Sequence, residues 1–292
     1  MSPDTIRMVS RSSPVGVFDS GLGGLTVLKE MLEVLPFEST VYFGDSGRSP
    51  YGTKSRDTIM HFAEQDACFL LSKGVKMIVI ACNTASSYAY EHLKETICVP
   101  VIEVITPGSL AAVRSTRNGR IGIIGTQATI SSNVYEKAVL EAGALERPDL
   151  DVRVFSAACP LFVGLAEEGW WNDEITLLTA DRYLEPLVRS GVDTLVLGCT
   201  HYPLLKGAIS RIMGSDVVLI DSAGEVVRKV SDVLEHTGLA TDNTGSGQVM
   251  HEYYTSDSEE KFIQLGSSFL QREISRASKI DIEHSCRSHE IY

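Results

Sequence analysis

Short, unbroken apolar runs alternate along this chain with longer amphipathic stretches. The runs are rich in Val and Ile and bounded by Gly, Pro or Asp: VGVF (15–18), STVYFG (39–44), KMIVIAC (76–82), VPVIEVI (99–105), RIGIIG (120–125), VRVFS (152–156), TLVLGC (194–199) and DVVLID (216–221). Runs of this length with no polar alternation predict parallel strands covered on both faces. Between them, apolar residues recur at helical spacing. Leu25, Leu28, Leu32 and Leu35 form one stripe; Ile59, Phe62, Ala63, Phe69 and Leu70 a second; Val226, Val230, Val233 and Leu234 a third. Ser55 is placed to cap the second helix and Lys73-Gly74 to stop it. Strand and helix in alternation predict an α/β fold with mostly parallel sheets. The polar, Gly-rich segment 236–248 reads as a surface loop. A strand around HEYYTS (251–256), a helix around Phe262, Leu265 and Phe269, and a polar tail follow it.

The pattern repeats. VGVFDSGLGG (15–24) resembles IGIIGTQATI (121–130), and MIVIACNT (77–84) resembles TLVLGCTH (194–201). Val101 and Val218 each begin a further short run 19 residues after a cysteine, Cys82 or Cys199. Two copies are too few for a solenoid, but they suit two pseudo-symmetric, three-layer α/β domains facing each other across a cleft. Each cysteine then stands at the carboxyl end of a parallel strand and at the start of a helix. Asn83, Thr84, Ser86 and Ser87 are candidates to cap one helix. Thr200 is a candidate for the other, with Pro203 in its first turn. Ligands of open α/β sheets bind at such strand ends, and a helix N-terminus favours anions and lowers a thiol pKa.

Composition narrows the function. A chain of 292 residues exceeds what one core usually supports, so two domains are expected. A net charge of -12 argues against nucleic acid or an anionic membrane as the main partner. The N-terminus carries no apolar signal-peptide core, and no run approaches the ~20 residues a bilayer span needs. A cytoplasmic protein is expected, with its six cysteines reduced. Cys68 and Cys98 read as small buried hydrophobes and Cys159 as structural. HSCRSH could gather His284, Cys286 and His289 around a metal, but it lies in a polar tail, and no metal site is expected there.

Two thiols on opposite sides of one carbon suit a two-base racemisation. One removes a proton, the other delivers one to the opposite face, and their roles exchange. The weakly acidic carbon needs preorganised donors in a dry site. Asp19 and Ser20 at a strand end, followed by the glycine turn of FDSGLGGLT (18–26), can supply them, as can the Ser-Pro-Tyr-Gly turn of FGDSGRSPYGTKS (43–55). A phosphate-binding reading of the glycine turn fails on spacing, because G-x-G-x-x-G would need Gly where Thr26 stands.

Taken together, VGVFDSGLGGLTVL, YFGDSGRSPYGTKS, IVIACNTASS, IGIIGTQATI, CPLFVGLAEEG and DTLVLGCTHYPLL resemble the bacterial glutamate racemases. The motifs occur in the family's order over roughly residues 14 to 270; the departures, at Ser46, Ser49 and Gly164, do not touch the cysteines. The resemblance implies an isomerase that interconverts L- and D-glutamate without a cofactor and supplies D-glutamate for peptidoglycan. It implies that Cys82 acts on D-glutamate and Cys199 on L-glutamate. It implies substrate binding by Asp19, Ser20, Tyr51, Gly52, Asn83, Thr84, Thr200 and His201, with Asp19 and His201 assisting the proton transfers at Cys82 and Cys199 respectively. It implies a discontinuous first domain, 1–98 plus 216–292, carrying Cys82, around a second, 99–215, carrying Cys199. A homodimer is expected. The rival of the same fold is an aspartate or hydantoin racemase, since a one-methylene preference is not readable from spacing. A decarboxylase of this fold would typically keep one of the two cysteines. The rival of another class is a non-catalytic binding protein, which would show no activity when purified.

Overall fold

The computed structural model describes residues 9–242 and 248–285. Part of the 236–248 loop and the tail residues Cys286 and His289 fall outside them. In the first half, strands β1 (Val15–Asp19), β2 (Thr40–Gly44), β3 (Met77–Ile80) and β4 (Val101–Glu103) alternate with helices α1 (Leu25–Val34), α2 (Arg56–Ser72) and α3 (Asn83–Thr96). Helix α4 (Ile105–Ser115) leads to the second half. There β5 (Arg120–Gly125), β6 (Arg153–Ala158), β7 (Thr194–Gly198) and β8 (Val218–Ile220) alternate with α5 (Gln127–Ser131), α6 (Val134–Glu146), α7 (Leu161–Glu167), α8 (Glu174–Arg189) and α9 (Lys206–Met213). The chain returns through α10 (Ala223–His236) to β9 (His251–Thr255), α11 (Glu259–Leu270), β10 (Ser278–Lys279) and α12 (Ile282–Ser285).

The strands form two sheets, in the orders β10-β9-β2-β1-β3-β4 and β6-β5-β7-β8, and every pairing is parallel. The order β2-β1-β3-β4 in one sheet answers β6-β5-β7-β8 in the other, so the sequence repeat is a repeat of topology. The central strands β1 and β7 are buried along their whole length. That is why they read as unbroken apolar runs, with helices covering both faces. One core cluster joins the inner faces of both sheets through α1, α4, α6 and α10. A second lies outside the first sheet under α2 and α3. The third lies outside the second sheet under α8 and α9.

Ser55 caps α2 by accepting from Thr58 N, and Gly74, with φ 72°, follows its end. Residues 101–103 pair with β3, and 218–220 pair with β7. The chain therefore changes sheet after β4 and after β8. Cys98 is exposed where a buried residue was expected, while Cys68 and Cys159 are buried. Among the described residues no helix is long and apolar enough to cross a membrane.

Candidate active site

The carboxyl ends of β1, β3, β5 and β7 meet around one small cavity. It is lined by Ser20, Tyr51, Gly52, Cys82, Asn83 and Thr84 from the first half, and by Cys199, Thr200 and His201 from the second. Nine of the ten residues singled out in the sequence thus converge from two sheets. The tenth, Asp19, is fully buried just behind the wall. Its carboxylate accepts from Gly21 N at 3.1 Å and from Thr200 Oγ1 at 3.3 Å, which ties the two halves together.

The free space is ≈ 20 Å³, about one water molecule's worth. A larger cavity of ≈ 330 Å³ adjoins it. Pro50 and Val163 line both, so they form the partition between the outer and inner spaces.

Local chemistry at the two cysteines differs. Cys82 is itself the N-cap of α3, its sulfur accepting from Ala85 N at 3.4 Å. The polar residues expected to cap that helix lie within it instead. Thr200 caps no helix either, because the chain after β7 turns through a short 3-10 segment, Tyr202–Leu205, with Pro203 at its start. The expected lowering of the Cys82 pKa by the helix start does not prevail. Burial, followed by the nearby Asp19 carboxylate, pushes the thiol up to about 12, against hydrogen bonds from Ala85 and Ser20 that pull it down. Asp19 is also raised above the usual carboxylate range by burial, with His201 acting against that.

His201 Nδ1 lies 3.9 Å from Cys199 Sγ, and its Nε2 lies 3.2 Å from Glu167 Oε1. Burial disfavours the imidazolium, but the hydrogen bonds to Cys199 and Glu167 overcome it and raise His201 to about 10. The hydrogen bond from His201 correspondingly holds Glu167 below its usual range. The two sulfurs thus have unlike neighbours, His201 beside Cys199 and Asp19 near Cys82.

Several participants were not singled out in the sequence. Thr126 lines the cavity and bonds Thr84 Oγ1 at 3.0 Å. It occupies the repeat position of Ser20, so the repeat carried the signal. Glu167 stands one helical turn after Val163 in the CPLFVGLAEEG motif, but its partnership with His201 is tertiary. The turn bearing Tyr51 and Gly52 rests on a buried network. The Tyr51 hydroxyl lies within hydrogen-bond distance of both Asp66 Oδ2, at 2.8 Å, and Asp45. Arg48 bridges Asp45 at 2.6 Å and Asp66 at 3.0 Å, and its guanidinium stacks 4.1 Å from the Phe62 ring centroid. Of the proposed metal ligands, only His284 is described; it is exposed and pairs with Asp281 at 2.8 Å.

A family model described as Asp/Glu/Hydantoin racemase matches residues 23–230. A protein named glutamate racemase from Geobacter metallireducens is 47% identical over 269 residues, covering 92% of this chain and 97% of that one. The crystal structure of glutamate racemase isoform RacE1 from Bacillus anthracis superposes with a TM-score of 0.86 at 38% identity, covering 93% of this chain and 98% of that one. A glutamate racemase from Francisella tularensis, solved in complex with D-glutamate, gives a TM-score of 0.85 at 38% identity and covers 94% of this chain and 99% of that one.

Proposed function

Because the chain belongs to the Asp/Glu/Hydantoin racemase family, we propose that it interconverts L- and D-glutamate by proton transfer through Cys82 and Cys199. The observation that carries this reading is the placement of the two cysteines: each follows the matching strand of its own sheet, and both line one cavity. Substrate choice rests on the relatives named glutamate racemase and on the F. tularensis structure in complex with D-glutamate.

In the L-to-D direction, the Cys199 sulfur takes the Cα proton as the Cα–H bond breaks. The electron pair moves into the carboxylate, and Cys82, resting as a thiol, delivers its proton to the opposite face. In the reverse direction the roles exchange. The His201 imidazolium, cationic at neutral pH, stabilises charge at Cys199 and at the substrate carboxylate. Asp19, held near both Thr200 and Cys82, serves the proton traffic at Cys82. Ser20, Tyr51, Gly52, Asn83, Thr84, Thr126 and Thr200 supply polar contacts to the two carboxylates and the ammonium group. The reaction needs no cofactor. It supplies D-glutamate for peptidoglycan in the cytoplasm. The enzyme acts as a homodimer.

Purified protein incubated with L-glutamate, and separately with L-aspartate, tests the reading by chiral chromatography. D-Glutamate should accumulate to an equal mixture and D-aspartate should not; a racemic aspartate pool or no turnover would overturn it. In D₂O, the D-glutamate formed should carry deuterium at Cα, while unreacted L-glutamate stays protiated early in the reaction. Early deuterium in the unreacted substrate would mean that one base serves both faces.

A further inference from the structure

We propose that Tyr135 is a positioning residue for this reaction: its hydroxyl fixes which end of the Asn83 carboxamide faces the cavity, and its ring holds the two cysteine-bearing strand ends at their working separation. The proposal rests on the racemase reading above. Tyr135 belongs to α6 in the second half, yet its hydroxyl donates to Asn83 Oδ1 of the first half at 2.6 Å. Asn83 directly follows Cys82 and lines the inner cavity. The Tyr135 ring lies against the residue directly before the other cysteine, since a Cβ on Gly198 would stand 3.1 Å from its Cε2. One side chain therefore touches the neighbours of both thiols, from within a fully buried position.

A carboxamide has an acceptor end and a donor end of nearly the same shape, so its orientation must be imposed from outside. The buried Tyr135 hydroxyl must place its one proton on an acceptor, and among the described residues that acceptor is Asn83 Oδ1, so the oxygen end faces Tyr135. The Nδ2 hydrogens are then left for the cavity, where a carboxylate oxygen of the substrate accepts them; the flipped amide would present oxygen to oxygen. Burial, followed by Glu103 and Cys199, holds the Tyr135 hydroxyl well above its ordinary range. It stays a neutral donor at any working pH.

Tyr135→Phe separates the hydroxyl from the ring. The lost orientation weakens a hydrogen bond to a charged group, which is worth roughly tenfold or more in binding. KM for both enantiomers should rise about tenfold with kcat within about threefold, the signature of contact made equally in ground and transition states. On an Asn83→Ala background the same substitution should change kcat/KM no further, whereas a merely structural role would cost the same in both backgrounds. Tyr135→Leu, which removes the ring, should lower kcat as well. A wild-type KM in Tyr135→Phe, or an undiminished loss in the Asn83→Ala background, would overturn the proposal while the racemase reading stands. Absence of turnover in the wild-type enzyme would overturn both.

Discussion

At the scale of single residues, the two thiols are chemically alike and their surroundings are not. The histidine beside Cys199 should therefore matter in two measurable ways. His201→Asn should lower kcat by ~10²–10⁴-fold, the usual worth of general acid–base help. Glu167→Gln, which loosens the imidazole without removing it, should cost less. Stability gives an independent reading. The folded-state pKa of His201, about 10, lies above the unfolded value. Its contribution is therefore fully present below about pH 6.5 and lost as pH rises through about 10. The Tm difference between wild type and His201→Asn should be widest near pH 6 and should close toward pH 10; a constant difference would refute the assigned charge. The cysteines, Ser20 and Thr200 were legible because strand-end motifs carry them. Glu167 was not, because only folding brings α7 under His201. The rise at Cys82 was not legible either: a helix start is visible in sequence, but the burial and the carboxylate that outweigh it are not.

At the scale of elements, the turn that carries Tyr51 and Gly52 is a single 3-10 turn, Tyr51–Thr53, held to α2 through Asp66 and Phe62. Arg48 is the single cation there against two buried carboxylates, Asp45 and Asp66. Burial, then the neighbouring Asp45, raises Asp66 well above its ordinary range. Removing the cation strands the remaining charge. Arg48→Met should cost about 3–5 kcal/mol of stability, as broken buried pairs do, and should raise KM by loosening the turn. Asp66→Asn imitates the protonated acid and should be much milder in chemical denaturation. Equal losses in the two variants would argue that the network carries no net charge to balance. The strands β1 to β9 and the helices α1, α2, α10 and α11 were legible as apolar runs and stripes; α6 and α8 were not. The two-residue β10 was not, since Ser278 and Lys279 join β9 through backbone bonds alone. The arginine–carboxylate network was not legible either: Asp45, Arg48 and Tyr51 share one motif, but Asp66 lies on α2 and joins them only through folding.

At the scale of the whole molecule, the repeat announced two halves and a cleft, and the two sheets answer it strand for strand. Which sheet a short strand joins was not legible, because its hydrogen-bonded neighbour decides that and spacing does not reveal it. The cavity between the cysteines has room for about one water, and glutamate is several waters in size, so on the proposed reading the halves part to admit it and close again to react. Closure brings the glycine turn of the first half against Thr200 and His201 of the second. A Cβ on Gly23 would lie 2.1 Å from Thr200 Oγ1 and 2.6 Å from His201 Nδ1. Gly23 is not among the residues with positive φ, so alanine fits its backbone and only the approach between halves is at issue. Gly23→Ala should therefore leave folding nearly intact, because a small separation of the halves relieves the overlap. It should also keep the thiols from reaching opposite faces of the substrate together. A displacement of about 1 Å at reacting groups costs on the order of 10²-fold. The expected result is a Tm within a few degrees of wild type and a kcat lower by about a hundredfold or more in both directions. A Gly23→Ala enzyme that racemises within threefold of wild type would show that the reacting state is more open than the one described.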